Sequence, residues 1–148
     1  MNEQNLSGWW KDAIHYLPLR VYYADTDAAG LVYHGVYLDF AERARTEMMR
    51  LIGLGPDWPP SGEEVTFVVR ACEIDYKRSA VLDDLLTVHS RLVEMSGASF
   101  RVEQDVYRGG ELLVAMRLTL VCIRGVGQAT RIPGPLRERM SNFLRRKE

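Results

Sequence analysis

A chain of 148 residues with 47% hydrophobic and 26% charged side chains has the size and make-up of one globular domain with a buried core. Its net charge of −1 supplies no basic field for phosphate, so no nucleic-acid partner is expected. No stretch approaches the roughly 20 apolar residues of a membrane-spanning helix, residues 1–12 have neither the basic nor the apolar region of a secretory signal, and the two cysteines lie far apart in apolar runs, which predicts buried, reduced thiols in a cytoplasmic protein.

In chain order, residues 1–16 form a polar N-terminal extension, with Trp9, Trp10 and Ile14 predicted on a short helix. Pro18 marks the start of a strand over residues 17–23, rich in aromatic and β-branched side chains. The segment ADTDAAGLVYHG, residues 24–35, follows. The long helix is predicted over residues 35–54. Val36, Phe40, Ala44, Met48 and Leu51 recur at helical spacing, and Tyr37, Ala41 and Ile52 widen the stripe. Asp39, Arg43, Thr46, Glu47 and Arg50 take the other side, with Arg43 and Glu47 spaced to pair. The glycines and prolines of residues 53–62 end the helix.

Strands are predicted from residue 64 to residue 124. The first covers residues 65–76. The second covers 85–94, with Val88, Ser90 and Leu92 alternating against His89 and Arg91. In the third, Phe100, Val102 and Val106 oppose Arg101, Glu103 and Asp105. Gly109 and Gly110 supply the positive φ of a hairpin turn. The last strand, residues 112–123, is apolar on nearly both faces and is expected to be central and covered on both. A C-terminal amphipathic helix over residues 135–148 puts Leu136, Met140, Phe143 and Leu144 on one face and basic residues on the rest. It is expected to dock on its own domain, with an anionic membrane surface as the alternative.

The fold class is therefore α+β, with one long central helix against an antiparallel five-stranded sheet. One helix covers such a sheet only if the sheet curls around it, or if a second copy takes part.

Residues 24–35 hold the densest group of ionisable side chains, at a junction between strand and helix. Asp27 before Ala-Ala-Gly is ordinary turn chemistry by spacing alone, and Asp25 is expected to be a structural hydrogen-bonding residue. Gly30 permits a turn that a β-carbon would forbid. Tyr33, His34 and Gly35 open the helix, where unpaired N–H groups and the positive end of the dipole favour developing negative charge. DTD also suggests an aspartyl-phosphate phosphatase, but Ala29 and the antiparallel strands downstream do not fit that chemistry. Asp25, Asp27 and His34 are of suitable type for a metal, yet no further ligand set of matching spacing accompanies them, and no metal is expected. Neither cysteine has an acid–base partner nearby, and no serine sits in a nucleophile elbow.

Residues 22–50 resemble the signature of the hotdog-fold 4-hydroxybenzoyl-CoA thioesterase family, in its YbgC-type acyl-CoA thioesterase branch, often associated with the Tol-Pal system. The resemblance is carried by DTDAAG, VYH, a tyrosine three residues after the histidine, and ERARTE. It continues through Ile74-Asp75-Tyr76, Leu82-Asp83-Asp84 and Arg131-Ile132-Pro133. The family commonly has Gly-Gly where this chain has Ala29-Gly30, and proline where it has Ser79.

The resemblance implies a single hotdog domain over residues 1–148 whose sheet curls around the helix. It implies hydrolysis of an acyl-CoA thioester to free acid and CoA, without a cofactor. Asp27 would act as nucleophile or as general base. The N–H of His34 would receive the charge that develops on the carbonyl oxygen, with Tyr33 and Gly35 flanking it, and the His34 imidazole would take part. Lys77, Arg78, Arg101 and Arg131 are the candidates to meet coenzyme A phosphates. Such folds usually assemble as homodimers joined edge to edge, or as tetramers, and a link to phospholipid synthesis would bring the chain to a membrane surface. Glu42, Arg43 and Arg45 read as a solvated face or as ion pairs, with the lining of a channel to a partner subunit as the alternative. The alternatives are a hotdog dehydratase or hydratase acting on acyl thioesters, or a non-catalytic acyl-thioester-binding scaffold.

Overall fold

Strict alternation of apolar side chains decides most of the architecture. The structure, a computed structural model, describes residues 6–54 and 65–144. Its elements are β1 (Trp9–Lys11), β2 (Ile14–Arg20), a 3-10 turn (Tyr23–Asp25), α1 (Val36–Ile52), β3 (Val65–Tyr76), β4 (Leu85–Met95), β5 (Ser99–Arg108), β6 (Glu111–Arg124), β7 (Gln128–Ala129) and α2 (Gly134–Ser141). The described strands form one antiparallel sheet in the order β1-β2-β4-β5-β6-β3, with β7 beside β6. Among the described residues there are seven strands where five were expected, because two short ones extend the sheet.

The first addition corrects the N-terminal reading. Trp9 and Trp10 lie on a strand, not a helix. Asp12 and Ala13 have φ of 53° and 61°, and two such residues in succession make a tight hairpin. Register then pairs Trp9 with Tyr16 and Lys11 with Ile14. The following strand starts three residues earlier than predicted and ends at Arg20, where the chain turns into the 3-10 segment. Pro18 is tolerated because β1 pairs only with residues 14–16, so that edge is open at Pro18. His15 is fully buried, its Nε2 on the Ser7 carbonyl at 2.7 Å, and burial pushes its pKa down.

Helix α1 lies on the sheet mainly over β4 and β2 and buries Tyr37, Phe40, Ala41, Ala44, Met48 and Ile52. The stripe is as predicted except at Leu51, which is exposed, while Val36 packs only partly against the core. Gly53, at φ 125°, ends the helix by donating to the Met49 and Arg50 carbonyls. Glu47 pairs with Arg50 at 3.2 Å and not with Arg43. Residues 55–64, which carry the rest of the predicted breaker segment, lie outside the described residues.

The core closes on Leu86, Val88, Leu92, Phe100, Val102, Val106, Leu113, Met116, Leu118 and Cys122 from the sheet. β6 is central, as predicted, but only one of its faces is buried. Val114, Met116, Leu118, Leu120 and Cys122 are buried, while Arg117 is exposed and Ala115, Thr119 and Val121 are half-buried. In the turn after β5, Gly109 has the positive φ and Gly110 does not. Cys122 is buried as expected; Cys72, on the outer strand β3, is exposed instead, and both thiols are free.

The C-terminal helix docks on its own domain: Leu136 and Met140 are fully buried and the Phe143 ring meets Trp10 at 4.4 Å. This consumes the apolar face that a membrane-lying helix would need. Residues 145–148 lie outside the described residues. Among the described residues, no helix is long and apolar enough to cross a membrane.

Candidate active site

The 24–35 segment folds as a small hairpin stitched to its neighbours. Thr26 pairs with Val32, and the Asp27 N–H donates to the Leu31 carbonyl at 2.8 Å. At its tip Gly30 takes φ 80°, a conformation any β-carbon would strain. The Asp27 carboxylate braces the tip from inside. Its Oδ1 accepts from the N–H groups of Ala29 (2.9 Å) and Leu31 (3.2 Å). No described residue donates to its Oδ2. Asp25 caps the 3-10 turn, with its Oδ2 accepting from the Tyr22 N–H at 2.8 Å, which is the structural role expected of it.

A second loop, residues 77–84, clamps the hairpin. Val32 N–H donates to the Ala80 carbonyl (2.9 Å) and Leu82 N–H to the Gly30 carbonyl (3.3 Å). Leu31 bridges Val81. That loop is held by Asp84, whose Oδ2 accepts from the Val81 N–H (2.9 Å) and from Arg108 (2.7 Å). Partial burial works to raise the Asp84 pKa, but those two donors outweigh it and hold the carboxyl below the usual range. Arg108 continues to Glu111 at 2.6 Å. The catalytic candidates therefore sit on a loop with a rigid backing.

The hairpin returns to the start of α1. Tyr33 N–H donates to the Asp25 carbonyl at 3.0 Å and Val36 N–H to the Tyr33 carbonyl at 2.9 Å. Among the described residues nothing accepts from the N–H of His34 or Gly35, so two donors are left at the positive end of the helix. Asp27 lies opposite Leu31, and His34 follows three residues later, roughly 10 Å along the chain. Asp27 and His34 are both exposed. The His34 ring is flanked by Tyr33 (4.3 Å) and, edge-on, by Tyr76 (6.5 Å).

The four basic candidates separate. Lys77 and Arg78 follow β3 and open the clamping loop, each matched to a carboxylate: Lys77 to Asp75 at 3.0 Å and Arg78 to Glu111 at 3.1 Å. Arg101 pairs with Glu94 at 3.3 Å. Its strand neighbours are Thr119 and then Ala71, five residues or about 17 Å along β3 from Tyr76. Arg131 lies near Gly97. In one copy, Arg101 and Arg131 are thus at the far end of the sheet.

Arg45 is also not on a solvated face. It is half-buried, donating to Gln104 at 3.0 Å, and desolvation lowers its pKa despite Glu42 nearby. Gln104 went unnoticed in the sequence, since a glutamine between Glu103 and Asp105 looks solvated; only its position in the Val102–Val106 alternation signals otherwise. Tyr76 was seen only as part of a motif. Clefts of 210 to 670 Å³ on the described surface include one between β2 and α1 and one between β3 and α1; these are lined by neither Asp27 nor His34.

Residues 29–115 match the thioesterase superfamily, a match that begins two residues after Asp27. The acyl-CoA thioesterase YbgC of Haemophilus influenzae is 42% identical over 106 residues, covering 72% of this chain and 78% of the relative. A probable thioesterase from Bartonella henselae superposes with a TM-score of 0.77 at 39% identity, covering 81% of this chain and 99% of the other. A thioesterase from Thermus thermophilus, solved with coenzyme A and zinc, has a TM-score of 0.76 at 31% identity, covering 92% of this chain and 97% of the other. The hotdog arrangement of helix and sheet and these relatives agree: the chain belongs to the thioesterase superfamily and is a thioester hydrolase.

Proposed function

We propose that the chain hydrolyses acyl-CoA thioesters in the cytoplasm, at a site built from the Asp27 hairpin and the start of α1 and completed by a second copy. The observation that carries the reading is the pairing of a carboxylate whose Oδ2 has no described donor with two unaccepted N–H groups on one clamped hairpin. Asp27 attacks the thioester carbonyl, forming a mixed anhydride that water then hydrolyses to free acid, or takes the proton of a water that attacks directly. The carbonyl oxygen gains charge against the His34 N–H, the C–S bond breaks, and the thiolate leaves. Relatives named as acyl-CoA thioesterases and a neighbour solved with coenzyme A support the substrate class. Two free cysteines support a reducing compartment.

The test is free-thiol release from short, long and aromatic acyl-CoA substrates. Release supports hydrolysis at this site. An enoyl absorbance change without thiol would favour a dehydratase, and binding without turnover a scaffold.

A second copy is supported by β3, twelve residues long and, among the described strands, pairing only with β6. An open edge that exposes Val68 and Val69 is a template for another strand. Beside it, a 460 Å³ cleft lined by Arg45, Met49, Phe67 and Val68 opens toward α1. The expected result in sedimentation is a dimer or larger at micromolar concentration, and Val68→Lys should shift it toward monomer with activity falling in step. A wild-type chain that sediments as an active monomer would overturn the shared site.

A further inference from the structure

The three carbonyls at the start of α1 are satisfied in two different ways. The Tyr33 oxygen accepts from Val36 N–H and the Gly35 oxygen from Leu38 N–H, at 2.9 and 3.2 Å; both are bonds that helical geometry supplies. Between them, the His34 oxygen takes its bond from a side chain. The Tyr76 hydroxyl, on the last residue of β3, donates to it at 3.0 Å.

A peptide unit is planar and trans, so the His34 carbonyl and the Gly35 N–H share one plane and point in opposite directions. Anchoring the oxygen therefore aims the N–H. A donated bond on the oxygen also polarises the amide, which makes that N–H a stronger donor. Tyr76 is itself held in place, with its ring edge-on to Tyr37 at 5.8 Å and to His34 at 6.5 Å. Tyr37 is fixed in turn, because its hydroxyl accepts from the Ala80 N–H at 3.0 Å. The aromatic prop thus runs from the clamped loop to the one peptide whose orientation the helix does not set.

We propose that Tyr76 is a positioning residue for thioester hydrolysis: its hydroxyl locks the His34–Gly35 peptide so that the Gly35 N–H joins that of His34 in receiving the charge of the transition state. The inference rests on the reading of the α1 start as the charge sink. It assigns Tyr76 no contact with substrate.

Tyr76→Phe tests it, because the ring and its packing stay and only the hydroxyl is lost. Removing an entire donor of this kind costs about 10²–10³ in rate, and releasing one from its fixed direction should cost part of that. The expected result is kcat lower by about tenfold with KM within about twofold, an unchanged melting temperature, and a displaced Gly35 amide resonance. A kcat within about twofold of wild type would overturn the proposal. So would an effect confined to KM, since that would place the hydroxyl on the substrate. Asp27→Asn is run beside it. If that variant remains active, the underlying site reading fails whatever Tyr76→Phe does; if it is inactive while Tyr76→Phe is normal, only the positioning role falls.

Discussion

Asp27→Asn should fold as the wild type does and lose at least about 10²-fold in kcat, the low end for a positioned acid–base group. The structure separates the two jobs of this carboxylate. Oδ1 holds the hairpin through Ala29 and Leu31, and an asparagine oxygen can accept the same two bonds. The chemistry needs an unprotonated carboxylate oxygen, which the amide lacks. KM should change little, because the loss falls on the transition state. Asp25→Ala is the contrast. It removes the acceptor for the Tyr22 N–H and should cost about 1 kcal/mol of stability, as loss of a cap does, while most of the rate survives. His34→Ala falls between the two, since truncation spares the backbone N–H. Thiol release and thermal melting on the three variants decide the matter. An inactive Asp25→Ala with an active Asp27→Asn would reverse the assignment.

Gln104→Ala should lower stability by about 3 kcal/mol, combining a small cavity with stranded polar groups. Gln104 is fully buried. Its Nε2 donates to the Ala41 carbonyl and to Ser90 Oγ, both at 2.9 Å, and its Oε1 accepts from Arg45 at 3.0 Å. Truncation leaves the half-buried Arg45 without that acceptor and Ser90 without that donor. For a chain of this length the loss corresponds to a melting temperature lower by roughly 6–12 °C. Gln104→Met fills the space without polar atoms, so the difference between the two variants isolates the packing contribution. A melting temperature within about 2 °C of wild type for Gln104→Ala would show that this network contributes little.

Periodicity carried the long helix and the four long strands, because those elements are decided by which side faces the core. β3 runs over the predicted residues, and α1 differs from its predicted span by one residue at the start and two at the end. What periodicity missed was local or relational. The β1–β2 hairpin depends on left-handed backbone at Asp12 and Ala13, which neither residue type demands. The outer face of β6 was predicted covered because its side chains are apolar, yet composition does not say whether a covering layer exists in one copy. In the candidate site, the hairpin glycine was legible as turn chemistry and Asp25 as a structural hydrogen-bonding residue. The hold of Tyr76 on the His34 carbonyl was not, since it joins residues 42 apart in sequence. The same holds for Arg101 and Arg131: charge and position made them candidates, and only the strand register separates them from the hairpin.

Trp10 against Phe143 joins the first hairpin to the segment after the last helix, and Leu144 bridging Leu92 ties that segment to β4. A ribosome makes Trp10 roughly ten seconds before it makes Phe143. During that interval β1 and β2 can zip to each other and β2 can pair with β4, but Trp10 lacks its Phe143 partner. The seam is a high-contact-order closure, so it belongs among the late events of folding. Until it forms, the hairpin presents tryptophan to water, and the chain is open to misassociation there.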